Sequence, residues 1–266
     1  MPALPDLCSD LATEQAVLDD IVSSLEKDAW DTPTPAAGWT VRDQISHLAF
    51  FEEQAHRAIT DPDGFSVSLG EIAADPVGFM SGPLERGRSL PAIEVLAWWR
   101  KARTDALDGF SLADPGRRVP WFGPPMSPAS FITARIMETW AHGQDVVDAL
   151  GVGRAPTERL RHVAHLGVKA LPYSFHANGL ETPDAPVRVE LRAPSGDIWS
   201  WGESAPDKVG GPALDFCLVV TQRRHVDDTD LDVQGETATR WMSIAQAFAG
   251  PPGEGRKPGQ FARRAG

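Results

Sequence analysis

Glu138 and His142 stand four apart in METWAHGQDVVDALG, and His47 lies far upstream in GWTVRDQISHLAFFEE. A helix turns once every 3.6 residues, so a spacing of four puts Glu138 and His142 on one face. A second helix presenting His47 would complete a His/Glu/His set. Structural zinc sites are normally closed by four protein ligands, often cysteines, whereas three ligands leave a position for water or substrate. Imidazole and carboxylate suit zinc, and also nickel or iron(II), with zinc favoured by abundance. A metal so held could polarise a carbonyl or lower the pKa of a bound water or thiol. The spacing alone leaves a second reading open. Glu and His at i, i+4 also form an ordinary helix-surface contact worth about 0.2–0.5 kcal/mol, and ExxxH is less specific than HExxH.

Around this set the residues are less telling. Asp145, three beyond His142, could orient a ligand imidazole or hold a metal-bound water; equally it could be a solvated acid near a helix end. Trp39, Trp98, Trp99, Trp121 and Trp140 read as core or pocket wall. His56, His162, His165 and His176 have no comparable partner spacing and read as surface or satisfied core residues.

The elements that must position these residues are mostly helical at first. A helix capped by Ser9 or Asp10 and running to about residue 28 has Val17, Leu18, Ile21, Val22 and Leu25 at core spacing. Thr40 with Asp43 three later resembles a capping box that opens a helix over 41–59, with His47 beside its apolar face. A stretch rich in Gly, Asp and Pro, roughly 60–88, reads as loop. Ser89 and Pro91 start a third helix. A fourth spans about 128–149 and stops at Gly151, holding Glu138 and His142. A fifth begins near Thr157 and is bent or broken at Pro172. From 186 the pattern changes: VRVELRAP and IWSWG form a hairpin, GPALDFCLVVTQRRH is helical, LDVQG is a further strand and ETATRWMSIAQAF a closing helix. The expected organisation is a helical domain over 1–180 and a small α+β domain over 181–266 with a flexible tail, α+β overall.

Composition narrows the partners. The 266 residues include 25 basic and 37 acidic side chains, a net charge of −12 that disfavours nucleic acid. No apolar run approaches a membrane span and no secretory signal is visible, so a cytoplasmic protein without a membrane partner is expected. Cys8 and Cys217 are far apart, and Cys217 lies in the apolar run DFCLVV; a disulfide is not expected. Nothing separates monomer from homodimer.

GWTVRDQISHLAFFE, followed by the distant ExxxHxxD helix and a C-terminal α+β segment, resembles the mycothiol-dependent maleylpyruvate isomerase family, within the DinB-like four-helix bundles. The resemblance covers nearly the whole chain. It implies a DinB-like bundle, a divalent metal, usually zinc, on His47, Glu138 and His142, and mycothiol as cosubstrate. In that family an arginine within a Gly-Arg pair faces the cleft; the matching place here reads Gln222, Arg223, Arg224. Arg223 is thus the counterpart implied for catalysis and for pairing with a cofactor or substrate carboxylate, and the glycine is absent. The resulting expectation is a metal-dependent, thiol-using transferase or isomerase acting on a small electrophile. A metal-dependent hydrolase and a non-catalytic metal- or ligand-binding protein are the alternatives.

Overall fold

The computed structural model describes residues 3–261, which divide into two compact units between Gly153 and Arg154. Four long helices form the frame of the first unit: α1 (Leu4–Ser23), α2 (Val41–Thr60), α5 (Ala92–Ser111) and α6 (Pro128–Leu150). Helix α2 packs on α5 and α6, and α1 packs on α5 and α6. One apolar cluster gathers Leu18, Val22, Ile45, Leu48, Trp99 and Val146; a second gathers Leu11, Ala55, Phe110, Phe131 and Ile136. The expected bundle is present. Helix α1 starts earlier than the Ser9/Asp10 signal, with a proline in its first turn, and ends at Ser23; residues 27–31 form a separate 3-10 turn.

The stretch expected as loop is instead two further helices, α3 (Pro62–Ala74) and α4 (Pro76–Ser89). Their start signals are aspartates rather than an apolar period. Asp61 Oδ1 accepts from Gly64 N at 3.0 Å and Asp75 Oδ1 from Gly78 N at 2.9 Å. Phe65, wholly buried, secures α3 to the bundle.

The second unit holds α7 (Leu160–Lys169), α8 (Leu171–Ala177), strands β1 (Val187–Arg192), β2 (Ile198–Trp201) and β3 (Asp207–Pro212), helix α9 (Ala213–Val220), β4 (Asp232–Gln234) and α10 (Glu236–Ile244). The sheet order is β2-β1-β3-β4; β1 pairs antiparallel with β2 and parallel with β3, and β3 pairs antiparallel with β4. Strand β3, in DKVGGP, has no alternating pattern to announce it. Its end takes Gly211 and Pro212 from the segment expected as helix, so α9 begins only at Ala213. The expected join near residue 180 contrasts with a structural division at Gly153. Helix α7 packs on α9, where Gly167 faces Val220 so closely that an added Cβ would stand 2.7 Å from its side chain. Cys217 is buried and its thiol donates to Leu160 O; neither it nor Cys8 is in a disulfide. No helix among the described residues is long and apolar enough to cross a membrane.

The start of α2 is fixed as its sequence predicts. Thr40 and Asp43 form a capping box, and Arg88 of α4 donates twice to the same Asp43 carboxylate, both bonds at 2.9 Å. Arg42 donates to Asp31 and to Leu90 O, tying the first turn to its neighbours. Thr40→Ala is expected to cost about 1 kcal/mol, read as a lower urea midpoint with an unchanged slope.

Candidate metal centre

Helix α2 supplies His47 and α6 supplies Glu138 and His142, and their ligand atoms all lie within 4.8 Å of one another. The imidazoles of His47 and His142 are 4.4 Å apart between centroids. His142 Nε2 stands 3.2 Å from Glu138 Oε2, near the roughly 3.4 Å that separates two tetrahedral zinc ligands. The donor set and its spacing therefore fit a divalent metal. The His142 side chain is 12% exposed and that of Glu138 25%, so the cluster is partly sheltered yet reachable.

Charge and packing prepare the same atoms. Burial by itself would raise the Glu138 carboxyl, but the hydrogen bond and charge of His142, with Arg135 and His47 beyond, hold it down at about 2. A carboxylate already ionised is ready to act as a ligand. Trp39 stacks on His142 with centroids 6.0 Å apart, and Phe51 lies 4.5 Å from His47. Phe51 continues into Phe79, Trp121 and Phe122, all half-buried, making an apolar border beside the ligands.

Beneath the ligands runs a buried ion pair. Glu52 of α2 accepts from Arg135 of α6 at 3.1 and 3.2 Å and from Gln15 of α1 at 3.2 Å. Both charged side chains are almost fully enclosed, at 0% and 3% exposure. Glu52 lies five residues after His47 and Arg135 three before Glu138, so the pair locks together the two helices that carry the ligands.

Asp145 is buried on α6, one turn beyond His142, and is not among the three-ligand group. Arg223 belongs to the second unit, just after α9, where its guanidinium donates to Thr221 O. The residue before it, Gln222, has φ +60°, the left-handed conformation that favours glycine. This matches the place of the glycine missing from the expected Gly-Arg pair. The residue that the sequence reading missed is Gln44, whose Oε1 lies 2.5 Å from His142 Nδ1. Its i, i+3 relation to His47 was the available signal, since both fall on one side of α2. Of the other histidines, His56 donates to Asp105 O and His165 accepts from Trp201 Nε1, so both have packing partners.

Residues 11–147 match the family described as mycothiol maleylpyruvate isomerase N-terminal domain. Two Mycobacterium tuberculosis proteins, Uncharacterized protein Rv0036c and Uncharacterized protein MT0041, are each 49% identical over 249 residues, 93% of this chain and 97% of the relative. The crystal structure of the mycothiol-dependent maleylpyruvate isomerase is similar in fold, with a TM-score of 0.58 at 12% identity over 84% of this chain and 90% of that one. A substituted form of that isomerase gives a TM-score of 0.57 with the same identity and coverage. The chain belongs to the mycothiol-dependent maleylpyruvate isomerase family.

Because Glu52 is buried beside Arg135, Arg135→Leu leaves a carboxylate without its counter-charge and is expected to cost about 3–5 kcal/mol, whereas removing both charges together with Glu52→Leu recovers most of it. Urea unfolding of the two single variants and the double variant measures the coupling. A loss in the double variant equal to the sum of the two single losses would show that the pair is not coupled.

Proposed function

We propose that this protein is a metal-dependent, thiol-using enzyme that transfers a low-molecular-weight thiol to, or isomerises, a small electrophile. The observation that supports it is the convergence of His47, Glu138 and His142, two imidazoles and an ionised carboxylate from two helices, within one ligand sphere. A divalent metal, zinc by preference, would be held by these three residues and would supply Lewis acidity toward a thiolate or a carbonyl. The chain's own contribution is positional. Glu138 brings the negative charge, His142 is turned by its neighbours toward Glu138, and the border of Trp39 and Phe51 limits water around the reacting groups.

In the isomerase form of the reaction the thiol gives its proton to solvent and its sulfur adds to an activated carbon–carbon double bond. Rotation about the resulting single bond and departure of the sulfur restore the alkene with the opposite geometry. In the transferase form the adduct takes up a proton and is the product. Mycothiol enters as the thiol from family membership, as it is the thiol named for the crystallised isomerase. Arg223 and Asp145 enter on the family resemblance, Arg223 as a cation for a carboxylate and Asp145 as a support for a ligand or bound water.

A second reading rests on the ligand set itself. Two histidines and a glutamate also hold zinc in hydrolases, where metal-bound water is the nucleophile. Oxygen-18 from solvent appearing in the product would select hydrolysis over thiol addition.

Elemental analysis of the purified protein is expected to give about one equivalent of divalent metal. His47→Ala is expected to weaken metal binding by more than the roughly 10–100-fold that loss of an outer partner costs. Turnover that needs metal yet is indifferent to mycothiol and other thiols would remove thiol chemistry from this reading.

A further inference from the structure

We propose that Gln44 is the positioning residue of the metal centre: it fixes which nitrogen of His142 faces the metal. The inference rests on the three-ligand reading above and adds a residue that no comparison assigns.

Hydrogen bonds dictate the geometry in one direction. Thr34 Oγ1 donates to Trp39 O at 2.9 Å, so its hydroxyl hydrogen is committed and its lone pairs remain to accept. Gln44 Nε2 donates to that oxygen at 3.0 Å. The amide is thereby oriented, and its Oε1 is the atom that meets His142 Nδ1 at 2.5 Å. A carbonyl oxygen can only accept, so Nδ1 carries a hydrogen. The nitrogen left for a metal is Nε2, which stands 3.2 Å from Glu138 Oε2 and whose hydrogen bond to that carboxylate a bound metal would replace, the proton leaving to solvent.

Burial makes the arrangement decisive. Gln44 is fully enclosed, so water does not compete for either end of its amide. Turned by half a rotation, the amide would place its NH2 against Nδ1 and move the ring hydrogen to Nε2, where it would block the ligand position. Thr34 prevents that turn, and Thr34 is itself held by its backbone N donating to Trp39 O at 2.7 Å. Trp39, whose carbonyl anchors the chain of bonds, also stacks on the His142 ring. The short loop before α2 thus reaches the metal ligand on α6 through a single buried glutamine.

Cobalt(II) binding, followed by its visible absorption and by titration, tests this on the full-length protein. Gln44→Leu, similar in size but unable to accept, is expected to weaken cobalt binding about 10–100-fold and to alter the absorption bands. Gln44→Glu still accepts from Nδ1 and is expected to lose less than the roughly 10-fold at the lower end of that range. Equal binding by wild type and Gln44→Leu would overturn the inference, and so would equal losses in Gln44→Leu and Gln44→Glu, because a packing role alone predicts that result. If Gln44→Leu does not fold, Thr34→Val removes the hydroxyl that orients the amide while leaving Gln44 in place; its expected effect is weaker cobalt binding by the folded protein, and unchanged binding overturns the proposal. Failure of the wild type to bind cobalt would instead refute the three-ligand reading, and this inference with it.

Discussion

Everything at the candidate metal centre depends on α2 and α6 lying against each other in one register. His47 on the first helix meets Glu138 and His142 on the second only if neither helix slides or rotates by a turn. Apolar packing supplies most of the attraction, through Ile45, Leu48 and Val146 in one cluster and Ala55, Phe131 and Ile136 in the other. Apolar contact is weakly directional, so it tolerates neighbouring registers. The enclosed Glu52–Arg135 pair does not. A displaced register would strand both charges away from water, which costs far more than the pair gains when formed.

A second constraint comes from the loop between the 3-10 turn and α2. Its Thr40 caps α2, its Trp39 lies against His47 and His142, and its Thr34 holds the amide of Gln44. These roles use different atoms of one short segment, closed on itself by the bridge between Pro33 and Thr40. Stabilising the first turn of α2 and aiming the imidazole on α6 are therefore aspects of the same local structure. Arg88 joins α4 to this corner through Asp43. Of the two helices that the sequence reading took for loop, α4 is in this way tied to the corner beside the candidate metal centre.

Much of the fold is legible because its signals are local. The Thr40/Asp43 box, the Gly151 stop in the left-handed conformation and the alternation in VRVELR each act within a few residues, and each reappears in the structure. Helices α3 and α4 were hidden because glycine, serine and proline lower helix propensity, and tertiary contacts such as Phe65 in the core overrode it. Strand β3 was hidden for the corresponding reason. Its DKVGGP has little side-chain pattern, and the strand exists because β1 and β4 flank it with backbone hydrogen-bond partners.

The candidate site divides along the same line. From sequence alone, helical periodicity places Glu138 and His142 on one face, because the spacing of four is a property of a single helix. It also supplies His47 as a residue able to join them, and the family resemblance joins it. That His47, Glu138 and His142 do converge, that Trp39 and Phe51 border them, and that Gln44 meets the His142 imidazole are decided only in the folded chain. The physical reason is range. Periodicity and capping are set by bonds between near neighbours, whereas the meeting of α2 and α6 depends on how buried apolar and charged groups far apart in the chain satisfy one another.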